Sequence, residues 1–234
     1  MNKLAKTTSL NFGKLLGKVS PTQNIVYYRR GLDELSLNIT NACPNACVFC
    51  IRDRDPGWNV TNLYLNRDPS VDEIVEAFDS EYKKIIGNGV ILNKVKICGY
   101  GEPILRCSDL PPILQHIRRK SDSSIQLTTT GWPYFRLISQ DTSKLQELAT
   151  SGLTHIYLSM SAPNEESYKK LVKPGIKNHD SSAFRDAIRF GISAKSMGLD
   201  VTLGFIKLPG VQLLEVQDFA NRLGLKYKIR KMEE

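Results

Sequence analysis

Three cysteines, Cys43, Cys47 and Cys50, stand in the spacing C-x-x-x-C-x-x-C within the stretch NACPNACVFCIRD. Thiolates are soft ligands, and three of them in one short loop can close a metal site without help from distant chain. Iron–sulfur clusters are held by cysteine thiolates, commonly four of them. Three leave one iron of a four-iron cluster without a protein ligand, and an open coordination position is where a metal does chemistry. A structural zinc is the first alternative. It wants a fourth Cys or His at ribbon-like spacing. His116, His155 and His179 lie far from the loop in sequence and lack a partner at motif spacing. A disulfide framework fits less well. Such frameworks belong to short secreted chains with even cysteine counts, and here there are 5 cysteines in 234 residues.

A second stretch, GYGEP at Gly99–Pro103, ends an apolar strand pattern. With the cysteine motif, and with Phe49 directly before the third cysteine, it resembles the radical S-adenosylmethionine (radical SAM) superfamily. GYGEP looks like that superfamily's Gly-Gly-Glu motif, with Tyr100 standing at a family glycine. The resemblance runs from about Leu35 to Ile229.

The resemblance implies a [4Fe–4S] cluster on Cys43, Cys47 and Cys50. It also implies S-adenosylmethionine chelated to the open iron through its amino and carboxylate groups. An electron donor such as flavodoxin or ferredoxin would reduce the cluster. Cleavage would then release a 5′-deoxyadenosyl radical that takes hydrogen from a substrate. In such enzymes the cofactor does the hard chemistry, and the protein positions it. The backbone of Gly99, Tyr100, Gly101 and Glu102 would bind the methionine amino group. Gly101 would allow close approach to the cofactor, and Glu102 would anchor the loop or assist the amino group. Ser159 and Ser161 resemble polar positions that contact ribose or carboxylate. Phe49 would meet the adenine, as would Gly204–Ile206 with Gly210-Val211. Arg52 could pair with the cofactor carboxylate bidentately. Cys98 and Cys107 cannot by themselves hold a second four-iron cluster. Both read as small core hydrophobes, with Cys98 a candidate hydrogen-atom donor.

Within the superfamily, LNITNACPNACVFCIRD, Gly57-Trp-Asn59, Asn62–Leu65 and CGYGEPILR look most like the small TatD-nuclease-associated radical SAM proteins. The group's substrate is not established. Two other types compete: 7-carboxy-7-deazaguanine synthase-like proteins and glycyl-radical activating enzymes. A different class is a non-enzymatic iron–sulfur electron carrier, which would need neither GYGEP nor a barrel.

The elements that must position these residues follow from periodicity. Leu35, Leu37 and Ile39 alternate with Ser36, Asn38 and Thr40, as a strand does, and the cysteine loop leaves the end of that strand. Asn24–Tyr28 precedes it across a turn and suits a hairpin. Ser70 and Glu73 form a capping box for a helix to about Ile86. Asp109 can cap the next helix. Strand and helix alternate six times through Lys226–Ile229, which argues for a parallel sheet with crossover helices. Six units are too few for a closed eight-stranded barrel. The expected fold is therefore α/β, a partial (β/α)6 TIM-type barrel of the radical SAM kind. The cysteine loop, GYGEP, Thr129-Thr130-Gly131 and Ser159-Met-Ser161 all fall at C-terminal strand ends, where barrels of this kind place their chemistry.

Composition sets outer bounds. Apolar residues at 41% and charged ones at 24% describe an ordinary globular chain. No run approaches the ~20 apolar residues that span a bilayer, so no membrane partner and a cytoplasmic location are expected. Residues 1–33 read as a basic N-terminal arm with a short hairpin, and 34–234 as a single barrel domain. The arm carries Lys3, Lys6, Lys14 and Lys18 without a carboxylate up to position 23, and the net charge is +8. Both features suit an anionic partner, either nucleic acid or an acidic protein surface.

Overall fold

The computed structural model describes residues 25–53, 63–175, 182–208 and 211–231. The basic arm, Gly57-Trp-Asn59, Asn62, His179 and Gly210 lie outside them. Strand β1 (Val26–Arg29) turns back into β2 (Glu34–Leu37), and the pair is antiparallel as the hairpin pattern predicts. Then follow α1 (Val71–Gly87), β3 (Lys94–Ile97), α2 (Leu110–Lys120), β4 (Ser124–Thr129), α3 (Ser143–Thr150) and β5 (His155–Ser161). Two helices, α4 (Glu165–Val172) and α5 (Ala183–Ser196), lead to β6 (Asp200–Ile206). Helix α6 (Leu213–Leu223) and β7 (Lys226–Arg230) complete the order.

All seven strands lie in one sheet in sequence order. Strands β2 to β7 pair in parallel, each with its sequence neighbour. These are the six expected parallel strands. β1 is a seventh, laid antiparallel on the outer edge, so the hairpin is continuous with the barrel sheet. Among the described residues β1 and β7 do not pair with each other, and the barrel stays open.

Register separates the two faces of the sheet. One lateral row runs Leu37, Ile97, Leu127, Ile156 and Val201. Its side chains face the helices: a Cβ on Gly191 of α5 would come within 2.9 Å of Leu158 and 3.8 Å of Val201. The neighbouring rows project to the other, inner face. They read Ser36, Lys96, Gln126, His155 and Asp200; then Thr128, Tyr157, Thr202 and Lys226; then Ser159, Gly204 and Lys228. The outer face is the hydrophobic core, and the inner face is polar.

The helix caps follow the sequence with one exception. Ser70 accepts from the Glu73 amide at 3.2 Å, and Glu73 accepts from the Ser70 amide at 2.8 Å, closing the capping box. Asp109 precedes α2 but makes no side-chain cap bond. Its carboxylate is taken by Arg106, whose Nε donates at 2.7 Å. Arg106 also donates to the carbonyls of Ile39 and Pro69, both at 2.7 Å. A charge-assisted pair outcompetes a neutral cap here.

Candidate active site

Strand β2 ends in a polar run whose side chains are consumed by the returning chain. Asn38 Nδ2 donates to Leu63 O, and Asn41 both donates to Leu65 O and accepts from its amide. Thr40 Oγ1 donates to Asp68 at 2.9 Å. These bonds tie residues 63–68 beside the root of the cysteine loop, and Asn38 and Thr40 are buried for that reason.

The cysteine loop is then held from two sides. Asn45, buried, accepts from Trp132 Nε1 at 2.9 Å and donates to Thr130 Oγ1 at 3.3 Å, fixing the loop to the end of β4. On the other side the loop pairs with the chain leaving α4. Val48 N donates to Leu171 O at 2.9 Å, Ala46 N to Lys173 O at 3.1 Å, and Gly175 N to Pro44 O at 2.7 Å. An antiparallel bridge joins Asn45 and Pro174. Neither Asn45 nor the 171–175 segment was legible as part of the site. Sequence spacing does not report contacts between segments this far apart along the chain, 85 and 87 residues for Asn45 with Thr130 and Trp132.

Cys43, Cys47 and Cys50 are all half-buried and free. The Cys47 thiol is pushed up to about 12, by burial first and then by Cys43 and Cys50 beside it. Burial likewise raises Cys43. A thiol raised by burial and by two neighbouring thiols is what a bound cation inverts, since a coordinating thiol is deprotonated outright. Two N–H groups already point at sulfur. Asn45 Nδ2 lies 3.7 Å from Cys43 Sγ, and Arg52 Nε lies 3.5 Å from Cys50 Sγ. Such donors suit ligated thiolates and tune the metal they hold. Among the described residues no three His, Cys, Asp or Glu converge on a single-ion site. The donor set fits an iron–sulfur cluster, whose thiolates sit on separate irons. Arg52 is turned back into its own loop, with Nη1 on Asn41 O at 3.1 Å.

GYGEP packs directly on that loop. A Cβ on Gly101 would lie 2.3 Å from Thr40 O and 2.7 Å from Ala42 O, and Glu102 N donates to Ala42 O at 2.8 Å. Gly101 thus makes its close approach to the backbone at the root of the cysteine loop. Gly99 is similarly crowded, since a Cβ would sit 1.9 Å from Asn38 Oδ1. Tyr100 is half-buried and meets the Tyr64 ring edge-on at 5.8 Å.

Glu102 is 3% exposed and accepts four hydrogen bonds. Oε1 takes Thr129 Oγ1 at 2.5 Å and Ile104 N at 3.1 Å. Oε2 takes Thr130 N at 2.8 Å and Thr130 Oγ1 at 2.7 Å. Burial pushes its carboxyl up, and the four donors oppose this. Of the two roles expected for Glu102, anchoring the loop is the one these bonds fill. It joins the ends of β3 and β4.

Ser159 is half-buried on the inner face, opposite Gly204. Ser161 lies beyond a register shift, buried, at φ 62°. Cys98 is half-buried, with Sγ 3.6 Å from the Tyr27 hydroxyl. Cys107 is in the hydrophobic core, as expected. Phe49 packs against the core's edge beside Cys47.

The chain resembles known proteins in sequence and in fold. It is 28% identical over 200 residues to a probable GTP 3′,8-cyclase of Methanococcus maripaludis, covering 84% of this chain and 58% of that protein. The chain thus spans little more than half the length of this relative. Among solved structures, a radical SAM methyltransferase from Sphaerobacter thermophilus matches with a TM-score of 0.56 and 14% identity, covering 88% of this chain and 68% of that one. SuiB from Streptococcus suis, bound to S-adenosylmethionine, matches at 0.57 and 17%, covering 85% and 41%. The model of the Radical SAM superfamily matches residues 37–223, from the end of β2 to the end of α6. With three thiols on a doubly braced loop at the top of an open six-stranded parallel barrel, the chain belongs to the Radical SAM superfamily, enzymes whose cofactors are a [4Fe–4S] cluster and S-adenosylmethionine.

Proposed function

We propose that this radical SAM enzyme takes a hydrogen atom from a small molecule seated against the inner face of its sheet. The observation that carries this reading is the division of the sheet into an apolar helix-covered face and a polar inner face ending at the cysteine loop. Cys43, Cys47 and Cys50 would hold the cluster. The GYGEP backbone, Ser159, Ser161 and Phe49 would line the S-adenosylmethionine site. One-electron chemistry is what these groups supply when bound: reductive cleavage of S-adenosylmethionine to a 5′-deoxyadenosyl radical. The protein's own residues brace the loop, through Asn45 and Glu102, and keep it against the strand ends.

Motif resemblance supports a place with the small TatD-nuclease-associated proteins. The sequence relatives instead carry the name GTP 3′,8-cyclase, which makes GTP the first substrate to try. The chain spans 58% of that relative, so the full cyclase reaction is a matter for assay.

The reading is tested on anaerobically reconstituted protein. It should hold about four irons per chain and form 5′-deoxyadenosine under reduction. Cys43→Ala, Cys47→Ala and Cys50→Ala should each abolish that product. Full activity in any one of them sinks the assignment.

A further inference from the structure

The cations of the inner face differ with height in the barrel. Toward the N-terminal ends of the strands they are neutralised. Lys96 pairs with Glu34 at 2.5 Å, with Lys94 at 3.5 Å and Arg29 at 3.7 Å on the same carboxylate. Lys226 pairs with Asp200 at 2.8 Å. Toward the C-terminal ends the pattern stops. Lys228 stands beside Gly204, and Arg230 beside Ile206, on the last strand of the open sheet. Among the described residues neither has a carboxylate partner, and Arg230 is half-buried.

The neighbouring surface is shaped toward them. The Tyr157 ring from β5 lies over Gly204 of β6, because a Cβ there would be 2.3 Å from the ring and 2.5 Å from its hydroxyl. Gly204 therefore gives the ring room to reach toward β7. Burial raises the half-buried Tyr157 phenol on balance, and the charge of Arg230 is near enough to oppose this in part. A guanidinium, an ammonium and a phenol hydroxyl thus share the inner face at the end where Ser159 lies.

We infer that Arg230, with Lys228 and Tyr157, binds an anionic group of the substrate, a phosphate or a carboxylate. Arginine suits this because its fork meets either anion with two parallel hydrogen bonds. A half-buried cation with no protein counter-charge strengthens when an anion supplies one. This inference rests on the proposed function and assigns the class of substrate to the same site.

The test uses full-length reconstituted protein and two probes, inorganic phosphate and malonate, titrated by calorimetry. At least one should bind in the millimolar range, and the tighter of the two tells phosphate ester from carboxylate. Arg230→Gln should weaken that probe about tenfold, equivalent to about 1.4 kcal/mol. Lys226→Gln, on the same strand but paired with Asp200, should change it less than about twofold, as a screened surface pair does. If Arg230→Gln does not fold by circular dichroism, Lys228→Gln carries the comparison. Absence of binding by both probes overturns the inference. Equal weakening by Lys226→Gln also overturns it, since that is a general charge effect. Reductive S-adenosylmethionine cleavage by the wild-type protein is read separately: if it is lost, the proposed function fails, and if it persists without anion binding, only this inference fails.

Discussion

Gly101 is packed by the chain itself, whatever it meets in a bound cofactor. Its missing Cβ leaves room for Thr40 O and Ala42 O, which a side chain would meet at 2.3 and 2.7 Å. Those carbonyls belong to the root of the cysteine loop. Gly101→Val should therefore displace the loop as well as the GYGEP turn. We expect the variant to reconstitute with clearly less iron than wild type, with loss of S-adenosylmethionine binding as a consequence. Iron analysis and calorimetry on one preparation check this. Wild-type iron content with weakened cofactor binding would instead place the glycine against the cofactor. Asn45 braces the same loop. Nothing in its type or spacing marks it, yet it touches Trp132, Thr130 and Cys43 together.

At the scale of elements, the best-read pieces were those with local causes. Ser70 and Glu73 close their capping box as the spacing requires. Gly224 ends α6 at φ 60°, where a left-handed cap favours glycine. The period of two within each strand placed the motifs at strand ends, and the alternation of strands with helices gave the parallel order. What was not legible is non-local. The tail of α4 clamps the cysteine loop through Leu171, Lys173 and Gly175, and the chain between them carries no motif. The five-residue π-helical turn at Tyr134–Ile138 was also missed, since its buried aromatics Tyr134 and Phe135 fit an ordinary loop or helix pattern equally well. The clamp yields a prediction. A Cβ on Gly175 would lie 2.9 Å from Pro44 O, so Gly175→Val should push the two segments apart. Hydrogen exchange at Ala46 and Val48, whose amides bond this tail, should speed up while β3 and β4 amides stay protected. Unchanged exchange at both amides would mean that the clamp does not brace the loop.

Across the whole molecule, charge is arranged along the barrel axis. The end where the parallel strands begin concentrates three cations on one carboxylate, Glu34, which is 7% exposed. Burial pushes Glu34 up, but the Lys96 hydrogen bond and the charges of Lys96, Lys94 and Arg29 outweigh it and hold its pKa below the ordinary value. A carboxylate with a depressed folded pKa stabilises the fold above its unfolded pKa, ~4.3 for glutamate. That contribution is lost as pH falls through the folded value. Glu34→Gln should remove it, leaving Lys96 without its charge-assisted partner at a cost of about 2 kcal/mol near neutral pH. Denaturant unfolding of wild type and variant at several pH values checks both the size and the sign. The difference in midpoint should be largest near pH 7 and should shrink steadily once the pH drops below the ordinary glutamate range. A difference that is flat with pH would mean that packing around the side chain, rather than its ionisation, is what Glu34 contributes. A difference that grows in acid would reverse the sign and show that the three cations are better tolerated without the carboxylate than with it.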